Sequence, residues 1–393
     1  MITGDRDWGP NTLSVHGGPR PAGENSPLAP PIYQSAVFTF SSLETVEGVF
    51  GGTAPGYAYS RMANPNLAML EASLARWHRA EAAVSAATGM AAIHAALMAL
   101  TSSGDRILMP PDLYGGTVAL ALEDLVGGGR AVAWMEGESE AAARDAWTEN
   151  TRLVLVETVS NPLMKTADLQ GLARLCRSRG ALLVVDNTLA SPVLCRPLEL
   201  GAHLAVESAT KCLAGHSTVM GGVLAGPAEL IDPCRDFLAR TGGTLDPFAA
   251  WLIGLGLYTL ALRVHRASEN AAALIQFLSG CRAVKRIFYP GTASDPGAGA
   301  HPRVMPHGSG SMLSFQLEGK EEVQHMMNRL ELVKFAPSLG DVRTIISHPA
   351  TTSHRDLEPE IRLRAGIADG LVRVSVGIED LEDLQADFSR GLG

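Results

Sequence analysis

From about residue 82 onward, short apolar runs alternate with stretches of helical spacing, and this rhythm constrains the fold more than any single residue does. The runs at 107–109, 153–156 and 182–185 lack clean period-two alternation, as strands covered on both faces do, and segments such as 168–179 between them are helical in spacing. A doubly wound α/β core follows, with a mostly parallel sheet between helical layers. The chain has 393 residues, more than one simple core usually occupies, so a large and a smaller domain are expected. After Pro247, apolar periodicity through 249–279 predicts one long helix, and strands at 312–317 and 371–376 mixed with helices predict a smaller α+β unit. Residues 1–61, rich in Gly, Pro and Ser, read as an extended arm with a short apolar run at 36–40. Asn64-Pro65 is a helix start, and Leu67, Leu70, Leu74 and Trp77 repeat at helical spacing after it. The expected division is an arm over 1–61, a large α/β domain over 62–246 and an α+β domain over 247–393.

Composition narrows the partners. Apolar residues make up 46% and charged residues 19%, which fits a folded globular chain without long disordered tails. With a formal net charge of −9 and no Lys/Arg run, neither nucleic acid nor an anionic membrane surface finds an electrostatic partner. Residues 1–10 carry Asp5, Arg6 and Asp7 and do not read as a signal peptide, and no apolar stretch is long enough to span a bilayer. Cys176, Cys195, Cys212, Cys234 and Cys281 are odd in number and scattered, which points to a reducing, cytoplasmic compartment. The eleven histidines form no metal-ligand spacing, so no metal site is expected.

The segment richest in chemistry is Glu207-Ser208-Ala209-Thr210-Lys211, which follows an apolar run at 203–206. A lysine at a strand exit after two hydroxyl residues suits a Schiff-base nucleophile whose neighbours bind a cofactor phosphate, although a lone Ser-x-Thr-Lys also describes a surface lysine. Asp186 ends the run Leu182-Leu183-Val184-Val185. Ligands of parallel sheets bind at such strand ends, and a carboxylate there can keep a pyridine nitrogen protonated; a turn or capping aspartate is the alternative. Gly89 and Met90 lie where a small-residue strand turns into a helix, either an anion site or a plain strand-to-helix turn. Tyr114 follows the 107–109 strand and could stack on a ring, Tyr59 and Arg61 lie in the arm, and Arg373 interrupts an apolar strand, where it needs a substrate carboxylate or a structural ion pair.

Taken with Pro30-Pro31-Ile32-Tyr33-Gln34, Ser60-Arg61-Met62-Ala63-Asn64-Pro65, Glu157-Thr158-Val159-Ser160-Asn161-Pro162, Asp186-Asn187-Thr188 and Ser338-Leu339-Gly340, these segments resemble the Cys/Met-metabolism family of pyridoxal-phosphate enzymes of fold type I. The family includes methionine γ-lyase, cystathionine γ-lyase, cystathionine γ-synthase, cystathionine β-lyase and the O-acylhomoserine sulfhydrylases. The resemblance implies a seven-stranded-type sheet, pyridoxal 5'-phosphate carried on Lys211, Asp186 paired with its ring nitrogen, and Tyr114 stacked on the ring as a catalytic group. It further implies that Gly89, Met90, Ser208 and Thr210 hold the phosphate, that Asn161 lies near the ring hydroxyl, and that Arg373 and Ser338 meet the substrate carboxylate. Tyr59 and Arg61 would complete the phosphate site of a neighbouring subunit, making a homodimer the minimal active unit and a tetramer the usual assembly.

Departures from the pattern bear on the substrate. Pro337 stands where cystathionine-using γ-enzymes carry a glutamate, and Gly116 stands where methionine γ-lyases carry a cysteine. Leu238 to Arg240 likewise replace the lysine and aspartate expected before Thr241-Gly242. The expected activity is γ-elimination or γ-replacement on an L-amino acid with a sulfur or oxygen leaving group, closest to methionine γ-lyase. An O-acylhomoserine sulfhydrylase or cystathionine γ-synthase is the same-class alternative, and a non-catalytic homologue that binds the cofactor is the different-class one. An NAD-binding fold lacks support, because no Gly-x-Gly-x-x-Gly follows the first strand.

Overall fold

The continuous apolar runs become the central strands of a large sheet. The computed structural model describes residues 8–19, 25–355 and 358–393; Asp5, Arg6 and Asp7 lie outside these. Among the described residues, β1 (Ala82–Ala86), β2 (Arg106–Met109), β3 (Ala131–Trp134), β4 (Thr151–Glu157), β5 (Leu182–Asp186), β6 (Leu204–Glu207) and β7 (Gly222–Gly226) form one sheet in the order β1-β7-β6-β5-β4-β2-β3. The pairs from β3 through β2, β4 and β5 to β6 are parallel. Strand β7 is inserted antiparallel between β6 and β1.

Both faces are covered, as continuous rather than alternating apolar strands require. On one face Leu153, Leu155, Val184, Leu204 and Leu224 pack with residues of the helices Gly89–Leu100 and Ala228–Thr241. On the other, Val154, Val156, Leu183 and Val185 meet Leu70, Leu74 and Trp77 of Pro65–His78 and Leu172 of Leu169–Arg179. Asn64 caps Pro65–His78 by accepting the amide of Asn66, and Asp168 caps Leu169–Arg179 by accepting that of Gly171, as their positions before the periodic segments predict. An apolar cavity of about 420 Å³, lined by Leu13, Leu28, Trp77 and Trp251 among others, contains none of the expected site residues.

The smaller sheet has the order β10-β11-β12-β9-β8, with β8 Arg286–Phe288, β9 Met312–Gln316, β10 Lys334–Phe335, β11 Ile345–Ser347 and β12 Leu371–Ser375. Period-two alternation along β12 buries Val372 and Val374 with Phe315 and Phe388. Arg373 and Ser375 therefore face the opposite way, where Ser375 Oγ accepts the Gly340 amide and Arg373 bonds Asn161, which lies just past β4 of the larger sheet.

The long helix expected over 249–279 is two helices, Pro247–Leu257 and Leu260–Ser279, bent by 59°. Apolar spacing continues across the break, which is why the periodicity conceals it. The bend at Tyr258-Thr259 lets Arg263 turn inward, where it donates to the carbonyls of Cys212, Leu213 and Gly256. The helix that follows the small-residue strand begins at Gly89, with Thr88 as its cap. Among the described residues, no single helix is long and apolar enough to cross a membrane.

Candidate active site

The site forms at the carboxyl ends of β4, β5 and β6, where the backbone leaves the sheet and side chains are free of ladder packing. Asp186 is the last residue of β5. Its Oδ1 accepts the Thr188 amide at 3.0 Å and the Thr188 hydroxyl at 2.5 Å. Thr188 Oγ1 also accepts the Ser208 amide at 2.8 Å, so one hydroxyl ties the Asp186 turn to the segment leading to the lysine. Burial raises the Asp186 carboxyl above its ordinary range, while the two Thr188 bonds oppose that shift by favouring the charged form.

Lys211 lies four residues beyond the end of β6. The turn that carries it is held by Thr210, whose hydroxyl accepts the Gly221 amide at 3.0 Å, and by the Gly215 amide donating to the Lys211 carbonyl at 2.7 Å. The segment around Gly340 presses on the same turn. At Gly340, with φ +74°, an added Cβ would lie 2.7 Å from the Cys212 amide nitrogen, so only glycine permits this approach. Lys211 Nζ donates to Ser338 Oγ at 3.0 Å. Burial lowers the pKa of this amine and the neighbouring Arg373 charge adds to the effect, which favours a neutral, nucleophilic nitrogen.

Arg373 is 6% exposed and donates to Asn161 Oδ1 at 3.2 Å and to the Ser338 carbonyl at 2.8 Å, with its Nε buried and unpartnered. No carboxylate pairs with it among the described residues, and burial brings its pKa down to about 10. A buried guanidinium in that condition is a receptor for an anion. The amine of Lys211, the Ser338 hydroxyl, the Asn161 amide and this guanidinium thus converge from distant parts of the chain.

The phosphate expectation can be tested on the backbone. Thr88 takes the Ala91 amide with its side chain and the Ala92 amide with its carbonyl, which leaves the first two amides of the helix, those of Gly89 and Met90, without an intrahelical acceptor. Ser208 lies against this turn so closely that a Cβ on Gly89 would come within 2.8 Å of the Ser208 Cβ. Two open amides, a cradle that excludes a side chain and adjacent hydroxyls form an anion site that fits a phosphate ester. Asp186 and Lys211 stand on the neighbouring strand exits, as a pyridine ring with an aldehyde requires.

Tyr114 precedes the short helix Gly115–Leu120 and is 48% exposed, with its amide held by Glu157 Oε1 at 2.8 Å. Nearby, Lys165 pairs with Asp112 at 2.5 Å, and Glu138 is pushed up to about 8 by burial and by the Asp112 charge. At Gly116 an added Cβ would meet the Tyr114 ring at 2.7 Å and the Met90 sulfur at 3.3 Å, so the tyrosine occupies the space that a side chain at 116 would need. Tyr59 and Arg61 are exposed, with the Arg61 guanidinium 5.4 Å from the Tyr59 ring centre and bonded to the Ala239 carbonyl. Sequence reasoning passed over Thr188, Glu157 and Arg263 as supports of the site. Thr188 and Glu157 belong to the segments that carry the family resemblance, but Arg263 has no signal in the sequence, since its reach to the lysine turn depends on the helix bend.

A protein-family model, Cys/Met metabolism PLP-dependent enzyme, matches residues 11–393. The chain belongs to this family. It is 40% identical to the L-methionine gamma-lyase of Pseudomonas putida, covering 97% of this chain and 96% of that one. It is 39% identical to the O-succinylhomoserine sulfhydrylase of Pseudomonas aeruginosa, covering 97% and 94%. Among solved structures, the cystathionine gamma synthase of Xanthomonas oryzae pv. oryzae superposes with a TM-score of 0.92 at 36% identity, over 98% of both chains. The protein is accordingly a pyridoxal-phosphate enzyme of fold type I, and the mixed seven-stranded sheet is that of its relatives.

Proposed function

We propose that this family member catalyses γ-elimination or γ-replacement on an L-amino acid that carries a sulfur or oxygen leaving group at its γ-carbon. The observation that carries the reading is the buried, carboxylate-free Arg373 beside the Lys211 amine, a pairing suited to an α-amino acid whose carboxylate meets the guanidinium. Gly89, Met90, Ser208 and Thr210 would hold the cofactor phosphate, Asp186 would meet its ring nitrogen, Asn161 would stand near its ring hydroxyl and Lys211 would carry it. When bound, the protonated ring supplies an electron sink for charge at the substrate α-carbon.

The chain's own groups do the rest. Lys211 Nζ, held below its usual pKa, would accept the α-proton, give that proton up again to the bound cofactor and substrate, and only then, neutral once more, accept a proton from the β-carbon. Tyr114 Oη supplies a proton to the departing γ-atom. Ser338 positions both the lysine nitrogen and the substrate carboxylate. Elimination consumes water and yields a 2-oxo acid, ammonia and the protonated leaving group. Replacement exchanges that group for an incoming thiol.

Pro337 is exposed and offers no charge to a distal ammonium, which disfavours cystathionine. The similarity to a sulfhydrylase, beside that to methionine γ-lyases, supports replacement as the second reading. Our reading also includes a cytoplasmic homo-oligomer, a dimer at minimum and a tetramer in full. Its arm over 1–61 would bring Tyr59 and Arg61 to a neighbour's phosphate site, ahead of a cofactor domain over 62–246 and a C-terminal domain over 247–393.

The test is a panel of L-amino acids bearing γ-thioether, γ-thiol and γ-acyloxy groups, scored for 2-oxo acid and for replaced amino acid with and without added thiol. Turnover of at least one γ-substituted substrate is expected. Its absence from the whole panel, with cofactor bound, would overturn the assignment.

A further inference from the structure

Glu157 ends β4 and is register-paired with Asp186 on β5, so the two carboxyl groups leave adjacent strands on the same face. Neither makes an ion pair among the described residues. Asp186 Oδ1 receives two hydrogen bonds from Thr188, which favours its charged form. Glu157 receives one, from the Tyr114 amide at Oε1, and its Oε2 is buried without any partner. An ionised carboxylate with an uncompensated oxygen, placed beside a second ionised carboxylate, costs too much in a dry setting, so one of the pair must stay protonated.

The partners decide which one. We propose that Glu157 is a positioning residue that stays a neutral carboxylic acid, anchoring the Tyr114 backbone and leaving Asp186 the single negative charge available to the cofactor ring nitrogen. The other groups facing it agree. Burial first, then Asp186, raises the Glu157 pKa well above its ordinary value, and Asp112 and Glu138 add to this. The Lys165 ammonium, the cation of that neighbourhood, is bound to Asp112 instead. A neutral Glu157 thus explains how an acid can sit against the floor of the site without competing for the ring's positive charge.

The inference rests on the proposed roles of Asp186 and Tyr114, and the spectroscopic arm of its test needs bound cofactor rather than a known substrate. In the holoenzyme, Glu157→Gln keeps an acceptor for Tyr114 and the neutral charge, whereas Glu157→Leu removes the acceptor. The pH midpoint of the visible cofactor band in E157Q should lie within about 0.3 unit of wild type, since no charge is lost. E157L should lose kcat by about tenfold or more on whichever substrate the panel identifies, with E157Q recovering most of that loss. A midpoint shifted by about a full unit in E157Q would show that Glu157 is ionised and overturn the proposal. Undiminished kcat in E157L would equally overturn it. Should E157L fail to fold, the E157Q midpoint alone decides, and an inactive wild type with a normal band would count against the γ-chemistry only.

Discussion

Arg373 stands on β12 between Val372 and Val374, and a guanidinium there is tolerated only because Asn161 and the Ser338 carbonyl each take one of its bonds. Those partners are neutral, so its charge remains available to a ligand. Arg373→Lys keeps the charge but loses the planar fork that matches a carboxylate. We expect kcat/KM to fall by about 100-fold, mostly through KM, with the visible cofactor band retained. Steady-state kinetics with unchanged kcat/KM would show that the substrate carboxylate binds elsewhere. In the sequence, this arginine is legible as a charge interrupting an apolar run. What no sequence pattern shows is its company, because Asn161 and Ser338 arrive from other segments of the chain, 212 and 35 residues away. The same holds for Thr188, whose hydroxyl links Asp186 to Ser208 only because β5 and β6 end side by side.

At the scale of elements, the anion turn before the helix Gly89–Leu100 depends on the strand beside it. A Cβ on Gly222, the first residue of β7, would lie 2.1 Å from the Thr88 carbonyl oxygen and 2.9 Å from the Gly89 Cα, both backbone atoms that cannot yield without moving the turn. Gly222→Ala should therefore destabilise the protein by roughly 1–3 kcal/mol and loosen cofactor retention. Gly254→Ala, in the helix Pro247–Leu257 with nothing within 4 Å of the added carbon, should instead stabilise by about 0.5–1 kcal/mol. Denaturation curves and cofactor dissociation of the two variants check this, and equal behaviour would contradict it. The central strands β2, β4 and β5 were readable because each is a continuous apolar run. Strand β7 is not, since Gly222-Val223-Leu224-Ala225-Gly226 is glycine-bounded and antiparallel to its neighbours. The helix break at Tyr258-Thr259 escaped for the opposite reason, an apolar periodicity that runs straight through it.

At the scale of the molecule, the lysine turn is clamped from both sides. The segment between β6 and β7 supplies Thr210 and Gly221, while Gly340, the Val342 amide bonded to the Gly215 carbonyl and the Arg263 guanidinium close over it from beyond residue 247. Such a clamp fixes one amine among few. Lys165 is engaged by Asp112, Lys285 by Glu318 and Lys334 by the Glu331 carbonyl, and Lys320 lies on the helix Lys320–Arg329, away from the strand ends that hold Asp186. Lys211 alone combines burial, a lowered pKa and a place on the strand exits next to Asp186. Borohydride reduction of the purified holoenzyme, followed by digestion and peptide mass spectrometry, tests this directly. The expected result is a single reduced-cofactor adduct on the peptide containing Lys211. An adduct on any other lysine, or none at all, would contradict it.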